Sequence, residues 1–197
     1  MTFWSEAALQ PKRNFRWLLR FGDDNKNEEI VWWAKTVTVP SYDVSETEHD
    51  FMDNKYYYPG RVTWSEISMT LVDPVSPDAT GRTLKILNDS GYKVKQKDQL
   101  GDNAGRTTIS KKNATGALGT IRMELLTADG EMLETWSVVN AFIKSAKYGD
   151  LDYSNDELRT IEMTVRYDYA ECIFGVVSGR DSGNQPKNFA PKATTSE

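Results

Sequence analysis

Ile161-Glu162-Met163-Thr164-Val165-Arg166-Tyr167-Asp168-Tyr169 alternates apolar and polar residues without a break. Successive side chains of a strand point to opposite faces, so this pattern predicts a strand with one buried and one wet face. The same reading applies to 63–72, where Ile67, Met69 and Leu71 oppose Glu66, Ser68 and Thr70. In 15–21, Phe15, Trp17, Leu19 and Phe21 share a face opposite Arg16 and Arg20. Residues 119–139 predict a hairpin: Ile121, Met123 and Leu125 run up to Asp129-Gly130, a dipeptide suited to a tight primed turn, and Met132, Trp136 and Val138 return. Residues 30–39 are β-branched and aromatic and end at Pro40, which has no N–H for a ladder.

One segment, 78–90, predicts a helix. Asp78 or Thr80 is placed to cap it, Leu84, Ile86 and Leu87 have helical spacing, and Gly91 stands where it stops. The fold class is therefore mainly β, an antiparallel sandwich or barrel with one packed helix. Three stretches break the order. Residues 41–62 begin acidic (Asp43, Glu46, Glu48, Asp50, Asp53), turn aromatic (Tyr56, Tyr57, Tyr58) and close at Pro59-Gly60. Residues 93–118 are polar and rich in Lys and Gly, and 176–197 are rich in Gly, Ser, Pro and Asn. The division is then a β domain over 1–175 and a flexible tail over 176–197.

The chain has 197 residues, a formal charge of −5, one His and one Cys. An acidic balance argues against a general nucleic-acid binder, which needs a positive surface. Cys172 has no partner for an internal disulfide, and its neighbour Glu171 disfavours the thiolate. His49 lies among Glu46, Glu48 and Asp50, in what reads as a solvated acidic loop. Nucleophilic catalysis needs a base beside Ser or Cys, and a zinc site needs several N or S ligands. Neither set is present.

Asp150-Leu151-Asp152-Tyr153-Ser154-Asn155-Asp156-Glu157 places oxygens at alternate positions, but Asn155 stands where a calcium loop needs Gly and Ile161 where it needs Glu. It reads as a turn. Gly101-Asp102-Asn103-Ala104-Gly105-Arg106 lacks the phosphate-loop pattern. No enzymatic activity, cofactor or metal is expected. The N-terminus lacks the basic and apolar regions of a secretion signal, and no apolar run is long enough to span a bilayer, so no membrane partner is expected.

A β protein with a long aromatic excursion and no chemistry is a candidate for self-assembly, since strand edges and hairpins pair across subunits. The order of features resembles the tail tube proteins of contractile-tailed bacteriophages, and more distantly the tube protein of type VI secretion systems. The resemblance rests on Asn14-Phe15-Arg16-Trp17-Leu18-Leu19-Arg20-Phe21, on Ala34-Lys35-Thr36-Val37-Thr38-Val39-Pro40 and on Phe51-Met52-Asp53-Asn54-Lys55. It continues through Gly60-Arg61-Val62-Thr63-Trp64-Ser65-Glu66-Ile67 and ends with 155–169. The 93–118 stretch and the tail after 175 depart from the family pattern.

The resemblance implies a virion protein, assembled in the host cytoplasm. Six subunits would form a ring whose strands join into one continuous inner barrel, and rings would stack into a hollow conduit that DNA only passes through. It implies tail sheath and baseplate or neck proteins as partners. Residues 41–62 would form a long extended hairpin reaching the next ring, with Val39, Pro40, Phe51, Met52, Lys55, Tyr57 and Tyr58 as inter-ring contacts. Two other readings stay open: a tube-end protein (initiator or terminator), and a monomeric β binding module.

Overall fold

A computed structural model of the chain describes residues 11–22, 29–30, 33–92, 108–154 and 156–175. Its strands are β1 (Trp17–Gly22), β2 (Glu29–Ile30), β3 (Ala34–Val37), β4 (Tyr42–Phe51), β5 (Asn54–Trp64), β6 (Ile67–Val72), β7 (Thr120–Leu126), β8 (Met132–Val139), β9 (Phe142–Lys147), β10 (Thr160–Arg166) and β11 (Tyr169–Phe174). Two helices, α1 (Ala79–Asp89) and α2 (Lys111–Leu118), lie between β6 and β7. One antiparallel sheet runs β11-β8-β7-β1-β2 and a second runs β3-β6-β10-β9. Among the described residues, strands β4 and β5 pair only with each other.

The alternating stretches supply the core. On β10, Ile161, Met163 and Val165 are buried, opposite Leu71, Met69 and Ile67 of β6. They pack in one cluster with Leu19, Ile121, Met123 and Val138 of the other sheet, which makes the two sheets a sandwich. Burying each such side chain contributes about 1.5–3 kcal/mol. No sheet closes on itself into a barrel among the described residues.

Several expectations are corrected in detail. The strand read over 161–169 is two strands. Tyr167 completes the buried row, Asp168 donates its N–H to the Val139 carbonyl at 3.1 Å, and Tyr169 begins β11 in the other sheet. The run 30–39 is likewise split, with β2 in one sheet, β3 in the other and the buried Trp33 between them. The turn at Asp129-Gly130 is not primed. Thr127 and Glu131 close a three-residue loop, and only Gly130 takes positive φ (83°), the arrangement of a type I turn with a left-handed glycine.

Helix α1 forms as expected, and Asp78 is the residue that caps it, accepting from the Gly81 N–H at 3.0 Å. Its buried face is Ala79 and Thr83 with Ile86 packed on the core, whereas Leu84 and Leu87 point outward. Helix α2 lies inside the stretch read as a loop. Ser110 caps it, Ala114 and Leu118 are buried, and Gly119 ends it at φ 75°. Lys111 at its start pairs with Asp168 at 2.6 Å, and Asn140 donates to the same carboxylate at 2.8 Å. These bonds hold the Asp168 carboxyl below its usual range, Lys111 contributing most. The rest of that stretch (93–107), Gly101–Arg106 included, and the tail at 176–197 lie outside the described residues.

Replacing Ile161 by Ala removes a wholly buried side chain and is expected to cost about 2–5 kcal/mol in chemical denaturation. Leu158→Ala, at an exposed position, should change stability by no more than about 0.5 kcal/mol.

Candidate assembly surface

The stretch 41–62 is a long hairpin, as the resemblance implied. Strands of 10 and 11 residues pair antiparallel, from Tyr42↔Trp64 at the root to Phe51↔Asn54 at the tip. At about 3.3 Å per residue each arm is roughly 35 Å long. Every residue from Tyr42 to Thr63 is exposed. At the tip, Met52 takes φ 54° and is 86% exposed, so a bulky apolar residue occupies a left-handed position at a cost of about 1–2 kcal/mol.

Pro59-Gly60 does not close the excursion but sits within β5, at a bulge. Val44 faces Val62 and Glu46 faces Pro59, so Ser45 alone opposes Gly60 and Arg61. Pro59 has no N–H to give a ladder, and bulges are where strands accommodate proline. Ser45 Oγ accepts from the Arg61 N–H at 2.8 Å. A Cβ on Gly60 would lie 2.3 Å from that oxygen, so the contact needs glycine.

The root is aromatic. Trp64 meets Tyr42 edge-on with ring centroids 5.4 Å apart, and Tyr167 of the core at 6.0 Å. Beside them Ser65 donates to the Ser41 carbonyl at 2.8 Å. Burial pushes the Tyr167 phenol up, opposed by the Ser41 backbone N–H and the charge on Arg166. That N–H approaches the hydroxyl too loosely to make a full hydrogen bond. Glu66, next along the chain, pairs with Lys144 at 2.5 Å and Arg166 at 3.6 Å.

Register assigns the paired hairpin side chains to a face, because directly paired residues point the same way, and leaves Arg61 at the bulge and Met52 and Asp53 at the tip outside the pairing. One face carries Tyr42 and Trp64, Val44 and Val62, Glu46 and Pro59, Glu48 and Tyr57, and Asp50 and Lys55. Lys55 reaches Glu48 at 2.9 Å and Asp50 at 3.9 Å along it. The other carries Asp43 and Thr63 at the root, then Ser45, Thr47 and Tyr58, His49 and Tyr56, and Phe51 and Asn54. Beyond the bulge, the first face is acidic and the second lacks carboxylate and ammonium groups.

Of the contact residues drawn from the resemblance, Phe51, Met52, Lys55, Tyr57 and Tyr58 are exposed on the hairpin and Val39 is exposed just before it. Pro40 is buried at the base. Lys55 and Tyr57 share the acidic face, whereas Phe51 and Tyr58 share the other. The sequence reading passed over Tyr56, which stands beside Tyr58 on that second face, and the root aromatics Tyr42, Trp64 and Tyr167. His49 is on a strand, opposite Tyr56, and not in an acidic loop.

Elsewhere the residues offer little chemistry. Burial, and then the charge of Glu134, push the Cys172 thiol up to about 11, with Lys12 opposing. The acidic neighbour responsible is thus Glu134 on β8 and not Glu171. Within the acidic run, Asp152 accepts from the Ser154 N–H and hydroxyl at 2.9 and 2.8 Å, which lowers its pKa and closes a turn over 152–154. No group of three or more side chains suited to a metal ion occurs among the described residues. One groove between the sheets is lined by Trp17, Val37, Met123, Leu125 and Trp136, and a cavity beneath the helices by Trp33, Ile86, Leu118 and Met163. Neither is lined by a His or a Cys.

This architecture matches solved assemblies. A chain in the baseplate of the anti-feeding prophage superposes with a TM-score of 0.62 at 14% identity, covering 84% of this chain and 97% of that one. A chain in the tube-terminating cap of the same system gives 0.60 at 19% identity, covering 86% and 95%. A chain of the PVC sheath–tube complex, an extracellular contractile injection system, gives 0.58 at 19%, covering 88% and 99%. The same fold is found in the SPP1 tail tube, with a TM-score of 0.51 at 12% identity, covering 85% of this chain and 81% of that one. No family model and no curated protein matches the sequence. The likeness therefore lies in the path of the chain, at identities too low to carry residue roles across.

Trp64→Ala is expected to speed amide hydrogen exchange across 42–64 while leaving β10 protected, because it removes the ring joining hairpin to core. Equal acceleration in β10 would mean the root is part of the global fold. Cys172 in the native protein should alkylate roughly a hundredfold more slowly than an ordinary free cysteine at pH 8, because its thiolate is that much rarer. The rate should climb as pH approaches 11.

Proposed function

We propose that this chain is a structural tube subunit, without enzymatic activity, that forms stacked hexameric rings around a hollow conduit for DNA. The observation that carries the reading is the hairpin. A two-stranded ribbon is marginal in water, yet here one about 35 Å long stands clear of the sandwich with every residue from Tyr42 to Thr63 exposed. Such a ribbon is stabilised when another surface covers it. A subunit repeated around a ring supplies that surface, and the tail-tube fold supports the geometry.

In this reading the sheet edges pair across subunits into a continuous inner barrel, and the hairpin, with Val39 at its base, contacts the next ring. Residues 1–175 act as the assembling domain. Partners are the tail sheath and baseplate or neck proteins, and the location is the tail of a phage particle, after assembly in the host cytoplasm. The net charge of −5 suits a conduit, since an acidic wall does not hold passing DNA.

One observation favours a second reading. The chains from the cap and the baseplate superpose as well as the chain from the sheath–tube complex does. A tube-end protein is therefore the runner-up, and subunit copies per particle separate the two: many per tail for a tube, one ring's worth for an end part.

Purified protein at high concentration is expected to show rings or tubes by negative-stain microscopy. Replacing 42–64 by a short Gly-Ser linker should leave a folded sandwich that no longer stacks. A protein that stays monomeric at every concentration would overturn the assembly reading, and stacking without the hairpin would overturn the hairpin's role.

A further inference from the structure

We propose that the outer half of the hairpin docks on a second copy of this chain by one face only. That face carries Thr47, His49, Phe51, Tyr56 and Tyr58, and the Glu46–Glu48–Asp50 face stays in water. This rests on the tube reading and deepens it by naming which side of the ribbon is covered.

The register carries the assignment. Beyond the bulge, Thr47 pairs with Tyr58, His49 with Tyr56 and Phe51 with Asn54 on one side. Glu46 pairs with Pro59, Glu48 with Tyr57 and Asp50 with Lys55 on the other. The first set holds the rings of Phe51, Tyr56 and Tyr58 and no carboxylate, ammonium or guanidinium group. The second holds three carboxylates against one ammonium, and Lys55 is already engaged by Glu48. Taking an ion out of water costs several kcal/mol unless it is fully paired, while covering exposed aromatic rings is favourable. The two faces therefore differ in which one a partner can cover.

Area points to the occupant. Phe51, Tyr56 and Tyr58 are each about half exposed, and together offer on the order of 300 Å². A partner in a stable pair contributes about 800 Å². One such face is too small for a firm contact with a single unrelated protein. Repeated around a closed ring, with each subunit giving one face and receiving another, the same small contact becomes strong. A second copy fits that arithmetic.

Three adjacent tyrosines make the test. Tyr57 is 57% exposed and Tyr58 58%, so the same substitution meets the same exposure on opposite faces, with Tyr56 (48%) as the second member of the docking face. The full chain carrying Tyr56→Lys, Tyr57→Lys or Tyr58→Lys is assayed for sedimentable assemblies, with circular dichroism and melting to verify the sandwich. Tyr58→Lys and Tyr56→Lys are expected to lower the assembled fraction by about tenfold or more, as losing a contact of about 1.4 kcal/mol does. Tyr57→Lys and the conservative Tyr58→Phe should assemble like the parent. If Tyr57→Lys blocks assembly and Tyr58→Lys does not, or if all three behave alike, the face assignment is wrong while the tube reading stands. A parent chain that never assembles removes the tube reading, and this proposal with it.

Discussion

Tyr167 stands where the sandwich, the hairpin and the change of sheet meet. It is the last residue of a row, Ile161, Met163, Val165 and Tyr167, whose side chains all enter the core. Its ring lies against Trp64 at the hairpin's root, and the next residue, Asp168, turns the chain into the other sheet. Burial at this point therefore fixes two things at once: the depth at which β10 sits and the place where the ribbon leaves the body. Asp168 adds a third tie through Lys111 and Asn140, which joins α2 and the β8–β9 turn to the same corner.

The molecule divides by how each part is stabilised. The sandwich is closed by apolar burial from both sheets, in the ordinary way of a domain core. The hairpin has no such source beyond its root. Its outer half has cross-strand pairs, two exposed ion pairs of Lys55 worth about 0–1 kcal/mol each, and a strained methionine at the tip. In the tube proposed above, the copy that covers such an element would supply the stability it lacks by itself.

Much of this was legible in the residues. The rows on β6, β7 and β10 declared themselves because their outward neighbours are charged or hydroxylic, and alternation is unambiguous when both faces obey it. The change of sheet at Tyr167 was not legible, since Tyr169 continues the apolar beat although it belongs to another strand. Helix α2 was hidden because Ala114 and Leu118 are its only buried residues and Gly116 interrupts it. The hairpin's two chemistries were hidden for another reason. The extra residue opposite Ser45 shifts which residues of β5 share a face with which of β4, and Pro59-Gly60 looks like a turn when read alone. The acidic and aromatic run marked the stretch that forms the hairpin, but only the register separates Tyr57 from its neighbours.

The bulge at Ser45 and Gly60 also restricts how such a ribbon can change length. It locks the two arms by a side-chain bond and a contact that admits no Cβ at position 60, so one arm cannot slide past the other. Beyond it, lengthening each arm by one residue would reverse the faces at the tip, putting carboxylates where rings had been. Only steps of two residues per arm keep the sides apart. Any longer or shorter version of this arm is then quantised, growing in increments of about 7 Å.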